Sequence, residues 1–261
     1  MDILDKIVAR KKEEIAEAKR NISHEALVKA SGHRSSRRPF IKTLEKPGPG
    51  GVNIIAEIKR ASPSKGIICP DLIPENFAKD YEKGGASALS VLTDRSFFKG
   101  SPEDLKAARS SVKLPVLRKD FLISSYQIYE SAALGADAVL LITRILSSQQ
   151  LKDYLALVET LGMDALLEVH TESDIDAASR AGAKLIGINN RNLRSFETDI
   201  QTAVDMVEKL ETHQIPVAES GIHSRADIDR LRAAGIWNFL IGESLVRAKD
   251  PKGFLRTLSG A

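Results

Sequence analysis

Apolar residues recur at helical spacing in the first part of the chain, among lysines, arginines and glutamates. The positions that carry this pattern are Ile3, Leu4, Ile7, Val8 and Ile15. They predict an amphipathic helix whose single apolar stripe has to be buried against the rest of the protein. A second, shorter helical piece is predicted around Phe40, Ile41 and Leu44.

A run of prolines and glycines over residues 47–51 then breaks the helical pattern. We therefore predict two parts: residues 49–261 form the main domain, and residues 1–48 form an N-terminal helical extension that packs on it. The extension also contains a polar, basic loop, Ser31–Arg38. Because its apolar stripe needs a partner, we expect the extension to cover the mouth of the domain, with this loop over a bound anion.

Beyond residue 51, short apolar runs alternate with amphipathic segments such as Ser124–Leu134, Glu172–Arg180 and Ser224–Ala233. Strands that alternate with helices pair in parallel through crossover connections. The runs that predict strands are Val52–Ile58, Ala88–Leu92, Pro115–Leu117, Ala138–Ile142, Ala165–Val169, Leu185–Ile188, Pro216–Ala218 and Phe239–Ile241.

Two architectures fit this alternation: a closed (β/α)8 barrel and an open, doubly wound sheet. The open sheet should show a glycine-rich phosphate fingerprint after its first strand, where this chain has Arg60–Pro63 instead. Glycine follows the helical segment before alternate strands, as at Gly85 and Gly182, which indicates a repeated unit. The length of 261 residues is usual for one barrel. We therefore predict an α/β protein, a (β/α)8 TIM barrel with an N-terminal helical extension.

Charged and amide residues recur at the carboxyl ends of the predicted strands. In a barrel these ends form one rim, where barrel active sites lie. Such side chains also serve as solvating caps or as paired ions, but charges on the inward face are costly to desolvate. A converging set is better explained by acid–base chemistry on a carbonyl compound. We expect no histidine or cysteine at this rim. The residues are Glu57, Lys59, Lys119, Glu168, Asn189 and Glu219.

Glycines after the last two predicted strands indicate a phosphate site. Gly221 follows Glu219-Ser220, and Gly242 precedes Glu243-Ser244. Barrels often hold phosphate with backbone N–H groups of these two loops. A formal net charge of +3 also favours an anionic small substrate over nucleic acid, because the basic residues are scattered among acids.

Several other classes of protein are excluded by the composition. No run of about 18 apolar residues could cross a membrane, and the first 20 residues lack the apolar stretch of a secretory signal, so we expect a cytoplasmic protein. Cys69 is the single cysteine and cannot form an internal disulfide or a thiolate cluster. The five histidines lack metal-ligand spacing, and we predict no metal site.

One long motif, Ile54–Ser64, resembles the signature of the indole-3-glycerol phosphate synthase family. The resemblance continues over nearly the whole chain and includes a helical N-terminal extension. It implies closure of 1-(2-carboxyphenylamino)-1-deoxyribulose 5-phosphate to indole-3-glycerol phosphate in tryptophan biosynthesis, with loss of carbon dioxide and water and without a cofactor or metal. Its candidate partners are other enzymes of the tryptophan pathway. The further matching segments are Ser90–Asp94, Val116–Phe121, Gly187–Leu193, Glu219–Ile222 and Ile241–Leu245.

The resemblance also implies roles for single residues. Lys119 would be the general acid that protonates the ketone oxygen, and Lys59 would pair with the substrate carboxylate and serve as a candidate acid for the loss of water. Glu168 would be the base of the dehydration, with Glu57 as its rival.

Other residues would bind or orient the substrate. Glu57 and Asn189 would orient substrate groups, and Glu219 would balance the lysine charges. Substrate-binding residues would be Arg191, Ser220 and Phe121, and phosphate-binding residues Ser62, Gly221, Gly242 and the backbone of Glu243. The family often has a small residue where this chain has Glu243, so we expect this carboxylate to turn away from the phosphate.

Two rival functions remain open at this point. The first is a phosphosugar barrel that resembles phosphoribosylanthranilate isomerase, in which a cysteine or aspartate base is expected early in the chain. The second is a barrel that binds a phosphorylated ligand without catalysis. The Glu57/Lys59 pair together with Lys119 favours ring closure over both.

Overall fold

The structure, a computed structural model, describes residues 3–32, 36–192 and 195–260. Residues 33–35 of the predicted basic loop and Leu193 of the Gly187–Leu193 motif lie outside the described residues. The barrel strands are β1 Asn53–Ile58, β2 Ala88–Leu92, β3 Val116–Lys119, β4 Ala138–Ile142, β5 Asp164–Val169, β6 Leu185–Asn189, β7 Ile215–Glu219 and β8 Asn238–Ile241. These eight parallel strands close into a barrel in the order β1-β8-β7-β6-β5-β4-β3-β2, which confirms the predicted fold.

Helices follow the strands and cover the outside of the barrel. Their exposed caps satisfy the first backbone N–H groups, as where Thr171 and Asp174 form a reciprocal capping box. Gly85 and Gly182 end their helices in the left-handed conformation, with φ of 91° and 85°. The helices are α1 Ile3–Asn21, α2 His24–Ser31, α3 Phe40–Leu44, α4 Pro74–Gly84, α5 Pro102–Ser111, α6 Ser125–Ala133, α7 Ser148–Thr160, α8 Glu172–Ala181, α9 Gln201–Val207, α10 Arg225–Ala233, α11 Glu243–Arg247 and α12 Pro251–Ser259.

Alternation along each strand separates two apolar cores. Residues such as Ile54 and Val91 point outward and pack against the ring of helices. Residues such as Ile55, Leu117 and Val217 point inward and fill the barrel. The inward core occupies the lower layers, so that the polar residues at the carboxyl ends of the strands stand above a dry, packed base. None of the described helices combines the length and apolar character needed to span a bilayer.

Helix α3 closes the floor of the barrel, at the amino ends of the strands. Phe40 and Leu44 are fully buried in the inward core. The side chains of α3 therefore belong to the inward core of the barrel. The division of the chain at residue 48 stays a prediction.

The segment before α3 lies at the floor as well. The backbone N–H of Arg38 donates to Asp137, and Arg37 pairs with Asp164 at the start of β5, 2.8 Å away. The expectation that the whole basic loop covers a bound anion is therefore wrong for residues 36–38. These arginines are held by the carboxylates at the amino ends of β4 and β5.

Helix α1, in contrast, lies across the opposite end of the barrel, the mouth formed by the carboxyl ends of the strands. Its first two turns supply Ile3, Leu4 and Ile7 to the wall of the cavity there. Lys11, one turn later, is only 4% exposed. Its ammonium pairs with Asp94 after β2 and Asp120 after β3, at 2.8 and 2.9 Å. Of the apolar stripe predicted from the sequence, Leu4 and Ile7 are buried at the mouth, while Ile3, Val8 and Ile15 are half-buried.

Candidate active site

The polar residues predicted for the rim occupy inward positions in the top layer of the barrel. Strand register aligns them: Leu92 lies beside Lys119, Glu168 beside Gly187, and Asn189 beside Glu219. Glu57, Lys119, Glu168 and Glu219 each follow an apolar inward residue two positions earlier on their strands. The rigid, hydrogen-bonded strands therefore hold a ring of charged groups over a hydrophobic base.

Lys119 lies at the centre of this ring. Its Nζ is 3.3 Å from Oε2 of Glu168 and 3.1 Å from Oε2 of Glu219. Burial disfavours the ammonium form, but the carboxylates of Glu219, Glu168 and Glu57 outweigh it and raise the pKa of Lys119. Lys119 is therefore protonated at neutral pH, with its ammonium held between two carboxylates that line the cavity.

A second lysine–carboxylate pair is formed at the end of β1. Nζ of Lys59 lies 2.7 Å from Oε1 of Glu57. Burial acts to raise the pKa of Glu57, but Lys59 and Lys119 reverse this and hold it below its ordinary value. Gly242, opposite this pair, is required because a Cβ there would collide with the Glu57 carboxylate. The missing side chain at Gly242 thus leaves room for the Glu57 carboxylate between the first and eighth strands.

Glu219 has an unusual environment for a carboxyl group. Burial, together with the like charges of Glu168 and Glu57, raises its pKa to about 7 despite the nearby Lys119 ammonium. A side chain at Gly187 on the neighbouring strand would collide with the Glu219 carboxylate, so this glycine makes room for it. Glu219 therefore exchanges a proton near neutral pH, unlike the other carboxylates of the ring.

Glu168 is held from both sides. Nδ2 of Asn189 donates to its Oε1 at 3.2 Å, while Lys119 approaches Oε2. Burial would raise the pKa of Glu168, but the Lys119 ammonium and the hydrogen bond from Asn189 lower it, so that its ionised form is favoured. A carboxylate that is ionised and faces a cavity can act as a general base.

The predicted substrate-contacting side chains complete one wall. The ring of Phe121 lies 6.0 Å from the ring of Phe98 and makes part of this wall apolar. Arg191 donates through Nη1 to Oγ of Ser64 at 3.1 Å, which ties the loop after β6 to the loop after β1. The hydroxyl of Ser62 lies 3.5 Å from that of Ser64 in the same loop.

The loops after β7 and β8 line the same cavity as Ser62. Ser220 and Gly221 both have positive φ, 68° and 75°, so the chain turns sharply where it leaves β7. Gly242 precedes the short helix α11. The carboxylate of Glu243 lies 3.2 Å from Nε of Arg247 and 4.0 Å from Nζ of Lys65. Two cations therefore offset its charge.

One cavity at the mouth is lined by every site residue predicted from the sequence. The catalytic candidates there are Lys119, Glu168, Lys59, Glu57, Asn189 and Glu219, and the binding candidates are Arg191, Ser220, Phe121, Ser62, Gly221, Gly242 and Glu243.

The sequence analysis missed other residues of the site. The apolar lining also includes Leu140 and Ile142, which the alternation along β4 could have identified. The expectation that no histidine lies at the rim is wrong. His223 lines the cavity, and Nε2 of His170 is 3.4 Å from Glu168. The periodic pattern does not reveal such residues, because both follow the ends of strands, where the chain direction changes.

Within residues 3–32, 36–192 and 195–260, no group of three or more histidine, cysteine, aspartate or glutamate side chains could hold a metal ion. The described site includes lysines, carboxylates, an amide and an arginine around a partly apolar cavity. These groups exchange protons and bind anions with their own side chains.

A closed (β/α)8 barrel with such groups at the carboxyl ends of its strands defines the class of (β/α)8-barrel enzymes. The family model of indole-3-glycerol phosphate synthase matches residues 4–258. Similar proteins named indole-3-glycerol phosphate synthase come from Desulfosudis oleivorans, at 55% identity, and Syntrophobacter fumaroxidans, at 53%. The first comparison covers 98% of both chains, and the second covers 100% of this chain and 98% of the relative. The chain belongs to the indole-3-glycerol phosphate synthase family, whose members are carboxy-lyases of tryptophan biosynthesis.

Solved structures of other barrels share the fold. The 3-hexulose-6-phosphate synthase of Salmonella typhimurium superposes with a TM-score of 0.65 at 12% identity, over 80% of this chain and 97% of that chain. The thiamine phosphate pyrophosphorylase of Pyrococcus furiosus gives 0.61 at 14% identity, over 80% and 94%. At this identity the likeness concerns the fold alone.

Proposed function

We propose that the chain closes 1-(2-carboxyphenylamino)-1-deoxyribulose 5-phosphate to indole-3-glycerol phosphate, with the top layer of the barrel as its catalytic machinery. The observation that carries this proposal is the Lys119 ammonium among buried carboxylates at the base of the cavity. Ring closure needs a proton donor that is charged, fixed and screened from water, and Lys119 meets all three conditions.

Lys119 would act in the first step. The aromatic carbon that carries the carboxylate attacks the ketone carbon, and the electron pair of the carbonyl bond moves to oxygen. The Lys119 ammonium donates its proton to this oxygen and leaves a hydroxyl group. Loss of carbon dioxide then returns its bonding electron pair to the ring and restores aromaticity.

Lys59 and Glu168 would act in the last step. Lys59 first pairs with the substrate carboxylate and then supplies the proton with which the hydroxyl leaves as water. The proton lost from the neighbouring ring position passes to Glu168, and its bonding electrons form the new double bond of the indole. Glu57 is the rival base, but its 2.7 Å contact with Lys59 favours an orienting role.

The remaining groups would hold the substrate. Asn189 orients the amine while it holds Glu168, and Glu219 offsets the positive charge of Lys119. Phe121 supplies an apolar surface for the aromatic ring, and Arg191 and Ser220 contact the polar parts of the substrate.

The phosphate would be held by the loops after β1, β7 and β8. Ser62 supplies a hydroxyl, and the backbones of Gly221, Gly242 and Glu243 line the same part of the cavity. The Glu243 side chain does not oppose this role, because Arg247 and Lys65 offset its charge.

The test is the appearance of indole fluorescence when the purified protein is given the open-chain substrate. Single turnover with Glu57→Gln and Glu168→Gln assigns the base: the true base variant accumulates the cyclised, decarboxylated intermediate. A protein that binds the substrate without fluorescence, or only isomerises phosphoribosylanthranilate, contradicts the proposal. A cytoplasmic location and contacts with other enzymes of tryptophan biosynthesis remain predictions.

A further inference from the structure

His170 is a buried imidazole that the proposed mechanism does not use. It directly follows β5, and its side chain is 5% exposed. Nε2 lies 3.4 Å from Oε1 of Glu168. Neither ring nitrogen has a hydrogen-bond partner of good geometry among the described residues.

Burial and two nearby cations favour the neutral form of the ring. Burial is the main cause that lowers the pKa of His170, and the cations Arg144, after β4, and Lys119, on β3, act in the same direction. Glu168 and Asp174, on α8, oppose them but do not reverse the shift. At neutral pH the ring therefore carries one N–H and one lone pair.

A packing role alone does not account for an imidazole here. Leaving a buried ring nitrogen without a hydrogen bond is unfavourable, and an aliphatic side chain would fill similar space without that cost. The backbone N–H of His170 is already used, because it donates to Asp174 at 2.9 Å in the cap of α8. The cap explains the backbone position and leaves the ring unexplained.

We propose that His170 is a positioning residue that fixes the Glu168 carboxylate by donating a hydrogen bond from Nε2 to Oε1. Catalytic hydrogen bonds are often long before substrate binds and shorten in the Michaelis complex, so the 3.4 Å separation suits this role. Asn189 approaches the same oxygen. Oε1 is then held by two donors, and Oε2 is the oxygen that takes up the proton. This inference rests on the proposed role of Glu168 as base.

The test is a double-mutant cycle measured in single turnover, with ring closure and dehydration followed separately by rapid quench. His170→Leu should slow dehydration roughly tenfold or more, the loss expected for one hydrogen bond to a charged group, while ring closure stays near the wild-type rate. His170→Gln, whose amide nitrogen can reach the place of Nε2, should recover most of the loss. In a Glu168→Gln background, His170→Leu should cause little further loss.

His213 provides a matched control. Its ring lies 3.3 Å from Glu211, and both side chains are more than half exposed. His213 precedes β7, so it lies at the end of that strand opposite to the rim. His213→Leu should leave both steps unchanged. Thermal melting of each variant checks that the barrel is intact. If the leucine variant does not fold, the same two rates are measured for His170→Gln and compared with the wild type.

The outcomes separate the two proposals. If His170→Leu slows both steps alike, or slows the Glu168→Gln enzyme by the same factor as the wild type, the inference about His170 is wrong and the role of Glu168 stands. If Glu168→Gln dehydrates at the wild-type rate, the base assignment fails, and the positioning role fails with it.

Discussion

The ammonium nitrogen of Lys11, on the N-terminal helix, lies 2.9 Å from Oδ1 of Asp120, the residue that follows Lys119. The same nitrogen lies 2.8 Å from Oδ2 of Asp94. Burial opposes the charge on Asp120, but Arg118 and Lys11 lower its pKa to about 2. The helix that covers the mouth is thus joined by buried ion pairs to the strand that carries the central lysine.

Replacing Lys11 by methionine should loosen this helix. Removing one partner of a buried ion pair costs about 3–5 kcal/mol, because the other charge stays buried without compensation. We expect a lower midpoint in urea unfolding and a higher KM. Lys12→Met is the control, since Lys12 lies next in sequence and is exposed. Equal behaviour of the two variants would contradict a structural role for the buried pair.

Truncation should separate the two ends of the extension. Removing residues 1–31 deletes α1 and α2 but keeps Phe40 and Leu44 in the floor of the barrel. This variant should stay folded by circular dichroism and show a raised KM. Removing residues 1–46 also deletes the two floor side chains, each worth about 2–5 kcal/mol, and should unfold the barrel. Unchanged kinetics in the shorter truncation would show that α1 does not contribute to binding.

Replacing Lys119 by methionine should affect chemistry more than binding. The stem keeps its length and only the proton donor is lost, so kcat should fall by about 10² to 10⁴. Binding of a reduced, ketone-free substrate analogue, measured by calorimetry, should weaken only modestly. Turnover at the wild-type rate would make Lys59 the better candidate for the acid.

Glu219 should make stability depend on pH near neutrality. Its pKa of about 7 in the folded protein lies above the ordinary value of 4.5. The protonated carboxyl is favoured by folding, so its stabilising contribution is complete below about pH 4.5 and is lost as pH rises through 7. Glu219→Gln has no ionisable group at this position, so its stability lacks this dependence on pH. The unfolding free energy of this variant should therefore improve relative to wild type, by roughly 1–3 kcal/mol, between pH 5 and pH 8. A difference that stays constant over this range would contradict the raised pKa.

An anion should bind at the junction of the loops after β7 and β8. Crystals soaked in sulfate should show it beside Gly221, Gly242 and Ser62, and inorganic phosphate should compete with the substrate. Ser62→Ala should weaken this competition by a fewfold, the effect of one hydrogen bond. Density for the anion only at the floor of the barrel, near Arg37, would show that the proposed phosphate site is wrong.

The sequence alone predicted the barrel and the catalytic candidates for identifiable reasons. Strands of period two alternate with helices of period 3.6, and this alternation permits few parallel arrangements. Glu57, Lys119 and Glu168 each stand two positions beyond an inward apolar residue, so their common face follows from the pleat. The long motif Ile54–Ser64 then identified the family.

Only the tertiary structure decided how these groups act on one another. The raised pKa of Glu219 depends on its burial and on carboxylates from other strands, and the lowered pKa of His170 depends on its burial and then on Arg144 and Lys119. The two ends of the N-terminal extension likewise reach opposite ends of the barrel, with Ile7 at the mouth and Phe40 in the floor. Local pattern determines which face of a strand or helix is apolar. Desolvation and charge–charge energies depend on distances between residues far apart in the chain, and these distances exist only after the barrel has closed.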